Sequence, residues 1–388
     1  MKRDFIPYTC SIVRGGTSKG LFFRANELPG PGESRDRIIL RLMGSPDLRQ
    51  IDGLGGANSL TSKVAIVGPS DRPDADVDYT FGQVSVDKPK IDWQGNCGNL
   101  TSAVGVFAVA QDLVPVREPE TTVRIFNVNT SKIIHVKVPV SAGRASTVGT
   151  YAIHGVPGTA PGLLVEFLDP AGGVTGRILP TGNVKDVVKL RDGRTFTISV
   201  VDAVTPVVYM RAEELGLKGT ELPTEVEAMP AVLSLMEAVR CEAAVLSGIV
   251  ERAEEATEKS PAFPKIGFVS KPQDYVNPEG KPIPADSIDI TARLGSMQKM
   301  HRAYMIGGAV STGAAALIPG TVVWDSLSDR ARSDGTNLVI GHPYGPMEIR
   351  MERDGEGIRK VSVFRTARIL MDGVAYLPAD AVGPEMKE

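Results

Sequence analysis

The 388-residue chain carries 43 Lys and Arg against 46 Asp and Glu, a formal net charge of −3, and 42% of its residues are apolar. That balance predicts a globular chain of roughly two domains and argues against nucleic acid as its main partner. No apolar run approaches the ~18 residues of a membrane span, and no apolar leader follows Met1-Lys2-Arg3-Asp4-Phe5, so the expected location is cytoplasmic and off the membrane.

In chain order, a strand over 6–13 is followed by a helix over 35–43 behind a Ser34 cap, a strand over 77–86 and a helix over 100–111. Strands then follow over 122–127, 133–140, 163–167 and 196–201, and a long helix runs from 224 to about 258. Strands over 266–269 and 347–351 flank a short helix near 314–318. The strands are rich in Val, Ile and Phe and end in turn residues. With 41 glycines and 28 prolines, tight connections are many. Strands and helices do not alternate at βαβ spacing, so the expected class is α+β with mostly antiparallel sheets.

An internal echo suggests two related halves. Tyr8-Thr-Cys-Ser-Ile-Val-Arg, a turn and Leu21-Phe-Phe-Arg-Ala-Asn-Glu-Leu28 are matched by Phe196-Thr-Ile-Ser-Val-Val-Asp, a turn and Val208-Tyr-Met-Arg-Ala-Glu-Glu-Leu215. Arg24 and Arg211, Glu27 and Glu214, and Leu28 and Leu215 share one offset. A second echo pairs Gly95-Asn-Cys-Gly-Asn-Leu-Thr-Ser-Ala-Val104 with Gly308-Ala-Val-Ser-Thr-Gly-Ala-Ala-Ala-Leu317. Duplication of this kind divides the chain into halves 1–188 and 189–388. The first carries Lys63 and Cys97, and the second carries Ser311-Thr312-Gly313 as its helix mouth.

Four loops rich in glycine and hydroxyls carry the chemistry: Arg14-Gly-Gly-Thr-Ser-Lys-Gly20, the segment 53–63, Gly95-Asn-Cys-Gly-Asn99 and Ser311-Thr-Gly313. Such loops can turn several backbone N–H groups on one anion, the more so where they open a helix. They suit a substrate with two or three carboxylates. Neither the P-loop spacing nor a clean GxGxxG is present, which argues against a nucleotide. Cys97 sits at the mouth of a predicted helix, where the helix dipole favours a negative sulfur. Cys10, in a strand, and Cys241, in a long helix, read as buried packing residues. Three distant cysteines and the scattered His135, His154, His301 and His342 make neither a disulfide framework nor a metal motif. No metal and no cofactor is expected. Lys63 ends the second loop ahead of the strand-like Val64-Ala-Ile-Val67, where a cleft position would suit it to base duty.

Together these loops resemble the PrpF-like family, which has the diaminopimelate epimerase fold and includes 2-methylaconitate, 3-methylitaconate and 4-oxalomesaconate isomerases. The matching stretches include Arg14–Gly20, Gln50-Ile-Asp-Gly-Leu-Gly-Gly56, Thr61-Ser-Lys63, Gly95-Asn-Cys-Gly-Asn99, Pro180-Thr-Gly-Asn183 and Gly341-His-Pro343, and they span nearly the whole chain. Gln50-Ile-Asp-Gly leans toward the methylitaconate enzymes, whereas Trp93 and Asp87-Lys-Pro lean toward the methylaconitate enzymes.

The resemblance implies two pseudo-symmetric α+β halves, each a curved, mostly antiparallel sheet around a central helix, with the site in the cleft between them. It also implies Lys63 and Cys97 as the catalytic pair. Epimerases of this fold use one cysteine per half, and Ser311-Thr312-Gly313 supplies no second thiol, so a double-bond shift is expected rather than racemisation. Substrate carboxylates are expected on the N–H groups of Gly98, Asn99, Thr312 and Gly313 and the hydroxyls of Ser18, Ser62 and Ser311. Thr17 and Asn96 complete the set. The expected partner is a small unsaturated polycarboxylate, with a homodimer left open. The rivals are a non-catalytic carboxylate-binding accessory of an aconitase-type enzyme and a cysteine-nucleophile hydrolase.

Overall fold

Alternation of buried and less buried residues marks most strands. Lys132–Ser141 shows it along nearly its whole length, as a strand with one face on a core must. The computed structural model describes residues 4–355 and 357–379. The chain divides into two units, Met1–Val165 with Arg365–Glu388, and Glu166–Phe364. The crossing therefore falls at Glu166 rather than near residue 188, and the last strand returns to the first unit.

In the first unit the strands pair in the order Ala367–Pro378, Phe5–Gly15, Ser18–Arg24, Lys63–Pro69, Val77–Val84, Glu120–Asn127 and Lys132–Ser141. The successive pairings are antiparallel, antiparallel, parallel, antiparallel, parallel and antiparallel. In the second unit the order is Asp186–Lys189, Thr195–Ala203, Thr205–Arg211, Lys265–Ser270, Ile290–Ser296, Asn337–His342 and Gly345–Asp354. The succession of pairings is the same. The repeat of the sequence echo is thus a repeat of topology. Arg24 and Arg211 each close a strand and hand the chain to a short 3-10 helix, Ala25–Glu27 and Ala212–Leu215.

Each sheet wraps one helix that is apolar all round, as a fully enclosed helix must be. In the first unit this is Gly98–Ala110, buried from Asn99 through Val109, against the strands Phe5–Gly15, Ser18–Arg24, Glu120–Asn127, Lys132–Ser141 and Ala367–Pro378. In the second it is Ile306–Ala316. The outer face of the first sheet carries the helix Glu33–Met43, where Ile38, Ile39, Leu42 and Met43 meet Leu21, Phe23, Val64 and Ile66.

Three helix boundaries depart from the sequence reading. Glu33–Met43 is capped by Gly32, and Ser34 lies inside it. The long helix over 224–258 is three pieces, Pro223–Glu227, Pro230–Leu246 and Ala253–Lys259. Pro230 cannot continue a helix from its N-terminal side, and Gly248, at φ 68°, turns the chain out of the second piece. The helix near 314–318 starts much earlier, at Ile306. Gly307 and Gly308 read as a loop, yet they are helical: a Cβ on Gly308 would stand 2.1 Å from Leu294 Cδ2. That glycine lets helix and sheet approach, and no turn requires it.

Close approach also sets the position of the first central helix. A Cβ on Gly15 would lie 2.3 Å from the Asn99 carbonyl oxygen. Gly15→Ala must therefore push the start of the helix away, and overpacking of this kind costs about 1–3 kcal/mol. Thermal unfolding is expected at a lower temperature, and an unchanged midpoint would refute the contact.

Candidate active site

Residues at alternate strand positions share one face. Val64 and Ile66 pack outward on the helix Glu33–Met43, so Lys63 and Ala65 face the central helix. Phe22 meets Phe107 of that helix with ring centroids 5.4 Å apart, which places Ser18, Gly20 and Phe22 on the same inner face. Tyr79, Phe81 and Gln83 join them: Tyr79 is fully buried beside Thr101 and Cys97, and Gln83 pairs across the ladder with Lys63. Burial pushes the Tyr79 hydroxyl well above its ordinary range and keeps it protonated.

At one end of this inner face the central helix begins. Cys97 is its N-cap residue, in extended conformation at φ −115°, and no side chain caps the end. The first intrahelical bond runs from the Thr101 N–H to the Cys97 carbonyl. The N–H groups of Gly98, Asn99 and Leu100 therefore lie ahead of the helix's own hydrogen bonds and can receive an anion. The Cys97 thiol donates to Ser18 Oγ across 3.9 Å. Asn99 donates from Nδ2 to Thr17 Oγ1 at 3.1 Å, and Thr101 Oγ1 donates to Asn96 Oδ1 at 3.3 Å. Lys63 lies opposite Gly20, whose Cβ would stand 2.7 Å from the Lys63 carbonyl. Cys97 touches Ser18, two residues from Gly20 along the same face, a separation of about 7 Å.

Lys63 is 7% exposed. Its ammonium donates to Gln83 Oε1 and sits 5.3 Å from the centre of the Phe81 ring. Gln83 Nε2 in turn donates to the carbonyls of Ser62, at 2.9 Å, and Ser59, at 3.2 Å. Among the described residues no carboxylate forms an ion pair with Lys63. Ser62 is placed differently from expectation. Its hydroxyl is fully buried and takes a 2.7 Å hydrogen bond from Gln50 Nε2, so it supports the loop instead of lining the opening. Gln50 also donates to Ser45 Oγ and accepts from the Ala57 N–H, tying the glycine-rich segment together.

A cation stands beside the first loop, Arg14–Gly20. Arg365 is buried, with its side-chain stem within 3.3 Å of a Cβ built on Gly16, and the Asn99 side-chain oxygen lies within 2.1 Å of that position. Burial brings the Arg365 guanidinium down to about 10, and it remains cationic at neutral pH, with the Tyr151 phenol among its neighbours. Sequence reading did not assign Arg365 or Gln83 to the site, because each acts through neighbours brought close only by the fold, and it met Gln50 only within a stretch matching the family.

Ser311, Thr312 and Gly313 are not a helix mouth. The second central helix starts at Ile306, and the three residues lie more than one turn inside it, all buried. Ser311 Oγ donates to the Val201 carbonyl at 2.9 Å, and Thr312 Oγ1 donates to the Gly308 carbonyl at 2.8 Å. The N–H groups of Thr312 and Gly313 lie past the helix's first turn and are taken up in the helix. The residue in the place of Cys97 is Met305, the N-cap of this helix. The second unit still offers no thiol at its helix start, though for a different residue than expected.

The other two cysteines are packing residues. Burial pushes the Cys10 thiol up to about 11 and raises that of Cys241, while Cys97 is only half-buried. Iodoacetamide applied to the native protein is therefore expected to label Cys97 first, as read by peptide mass spectrometry; labelling of Cys10 at an equal rate would contradict this packing. Among the described residues no three His, Cys, Asp or Glu side chains gather to hold a metal, and no helix is long and apolar enough to cross a membrane.

Comparison with known proteins agrees with this architecture. The family model described as PrpF protein matches residues 5–378. The 3-methylitaconate isomerase of Eubacterium barkeri is 45% identical over 96% of this chain and 98% of its own. The 2-methyl-aconitate isomerase of Shewanella oneidensis is 39% identical, covering 96% of this chain and 97% of its own. The 4-oxalomesaconate tautomerase of Pseudomonas putida is 38% identical at the same coverages. A crystal structure of methylitaconate-delta-isomerase superposes with a TM-score of 0.88 at 43% identity, covering 98% of each chain. A hydroxyproline epimerase from Agrobacterium vitis, 10% identical with a TM-score of 0.53 over 99% of this chain and 96% of its own, shares the fold. The fold is the diaminopimelate epimerase-like one, and the chain belongs to the PrpF family and is an isomerase.

Proposed function

We propose that this isomerase shifts a C=C bond in a small unsaturated di- or tricarboxylate by 1,3-proton transfer, without a cofactor, using Lys63 and Cys97. The observation that carries this reading is the placement of both side chains on one inner face, at the end where an uncapped helix begins. One carboxylate binds the N–H groups of Gly98, Asn99 and Leu100, and the charge of Arg365 draws the acid to the same end. One member of the pair takes the allylic proton. The resulting extended enolate gathers charge on its carboxylate, where the helix N-terminus and Arg365 stabilise it most. Return of a proton at the far carbon completes the shift.

A 3-methylitaconate type of substrate is favoured, because its isomerase has the highest identity of the relatives compared. The test is turnover in D₂O of 3-methylitaconate, 2-methylaconitate, aconitate and 4-oxalomesaconate, followed by NMR. One deuterium at the newly saturated carbon is expected. Turnover with no solvent hydrogen incorporated from any of the four would count against the proton-transfer scheme, and no turnover of any would overturn the substrate class.

A further inference from the structure

Lys63, Gln83 and Asp92 form one cross-strand row: Lys63 pairs with Gln83 on one side, and Gln83 pairs with Asp92 on the other. Adjacent strands are about 4.8 Å apart, so Asp92 stands about 10 Å from Lys63 with an uncharged amide between them. The amide is held in one orientation. Both of its N–H bonds are spent on the carbonyls of Ser62 and Ser59, which leaves Oε1 turned to the lysine.

We propose that Gln83 is a positioning residue for the Lys63 amine, and that its function depends on its being a neutral acceptor. This rests on Lys63 acting as an acid or base in the isomerisation proposed above. In such a cycle the nitrogen carries a proton in one state and lacks it in the other. An ammonium and an amine both have an N–H to donate to Oε1, so the contact survives both states and the nitrogen stays in place. A carboxylate at this position would instead hold the ammonium and resist the second state. The other groups facing Lys63 leave this balance in place: Phe81 and Tyr79 from the paired strand, Gly20 and Ser18 from the neighbouring strand, Cys97 from the helix, and Asp92 one strand beyond Gln83. Two arginines, Arg365 and Arg14, stand at the Gly16 loop.

Two variants test the inference once wild-type turnover with deuterium uptake, and its loss in Lys63→Ala, have been measured. If those controls fail, the functional reading fails and Gln83 is not the reason. Gln83→Met keeps the length of the side chain and removes the acceptor. It is expected to lower kcat about tenfold or more while KM stays within about threefold. Gln83→Glu places a negative charge beside the lysine and favours its protonated state. The limb of the pH–kcat profile that reports Lys63 is expected to move to higher pH by about one unit, whether the lysine serves as base or as acid. With the controls intact, a Gln83→Met enzyme within twofold of wild-type kcat would overturn the positioning role. A Gln83→Glu enzyme with an unmoved profile would overturn the neutral-acceptor argument, and this second readout stands even if the methionine variant is poorly folded.

Discussion

Lys63→Ala and Cys97→Ser are each expected to lower kcat about 10²–10⁴-fold, equivalent to about 3–5 kcal/mol of lost transition-state stabilisation, with little change in KM. Neither side chain is a large part of the core. Lys63 ends at a glutamine amide and a ring face, and Cys97 is half-buried with its sulfur against the Ser18 hydroxyl. The variants should therefore fold as the wild type does, and circular dichroism provides the control. The two also separate the roles. The variant lacking the group that removes the substrate proton loses both turnover and wash-in of deuterium into the substrate. The variant lacking only the returning acid loses turnover but keeps exchange at the first carbon. A Cys97→Ser enzyme with full activity would remove the thiol from the mechanism.

Arg365→Met is expected to raise KM for a di- or tricarboxylate about 10–100-fold, with a smaller effect on kcat. A hydrogen bond to a charged group contributes about 1.5–3 kcal/mol, and the guanidinium here acts from a buried position beside Gly16 and Asn99. Lysine should restore the charge without restoring the planar fork, so Arg365→Lys is expected to recover only part of the affinity. Steady-state kinetics against substrates with one, two and three carboxylates provides the measurement. An unchanged KM for all three would mean that the arginine serves only the packing of the Gly16 loop and Tyr151.

Much of this was legible in the residues. Glycine and asparagine on both sides of Cys97 are hard to explain as core packing, and the structure places that cysteine at a helix start. The offset shared by Arg24 and Arg211 marked a true repeat, because both arginines close the same strand of the same pairing order. The second echo slipped, and the reason is physical. A run such as Gly307-Gly308 has the composition of a loop, and only the nearness of Leu294 explains why a helix keeps glycine there. Arg365 carried no local signal, and Gln83 stood only within Gly82-Gln-Val-Ser85, a stretch that matches the family without giving the residue a role. A glutamine in a strand and an arginine at the end of one become informative only when the pairing register and the neighbour across space are known.

The return of the strand Ala367–Pro378 to pair along the whole of Phe5–Gly15 bears on how the polypeptide acquires its structure. The unit 166–364 is contiguous in sequence and can assemble as soon as its own residues are available. The unit that holds Lys63 and Cys97 must wait for a partner strand that lies some 360 positions away along the chain, and contacts at such separation are slow to form. During synthesis on the ribosome the carboxy-terminal unit is thus free to fold first, although it is made second, and catalytic competence arrives only with the last strand.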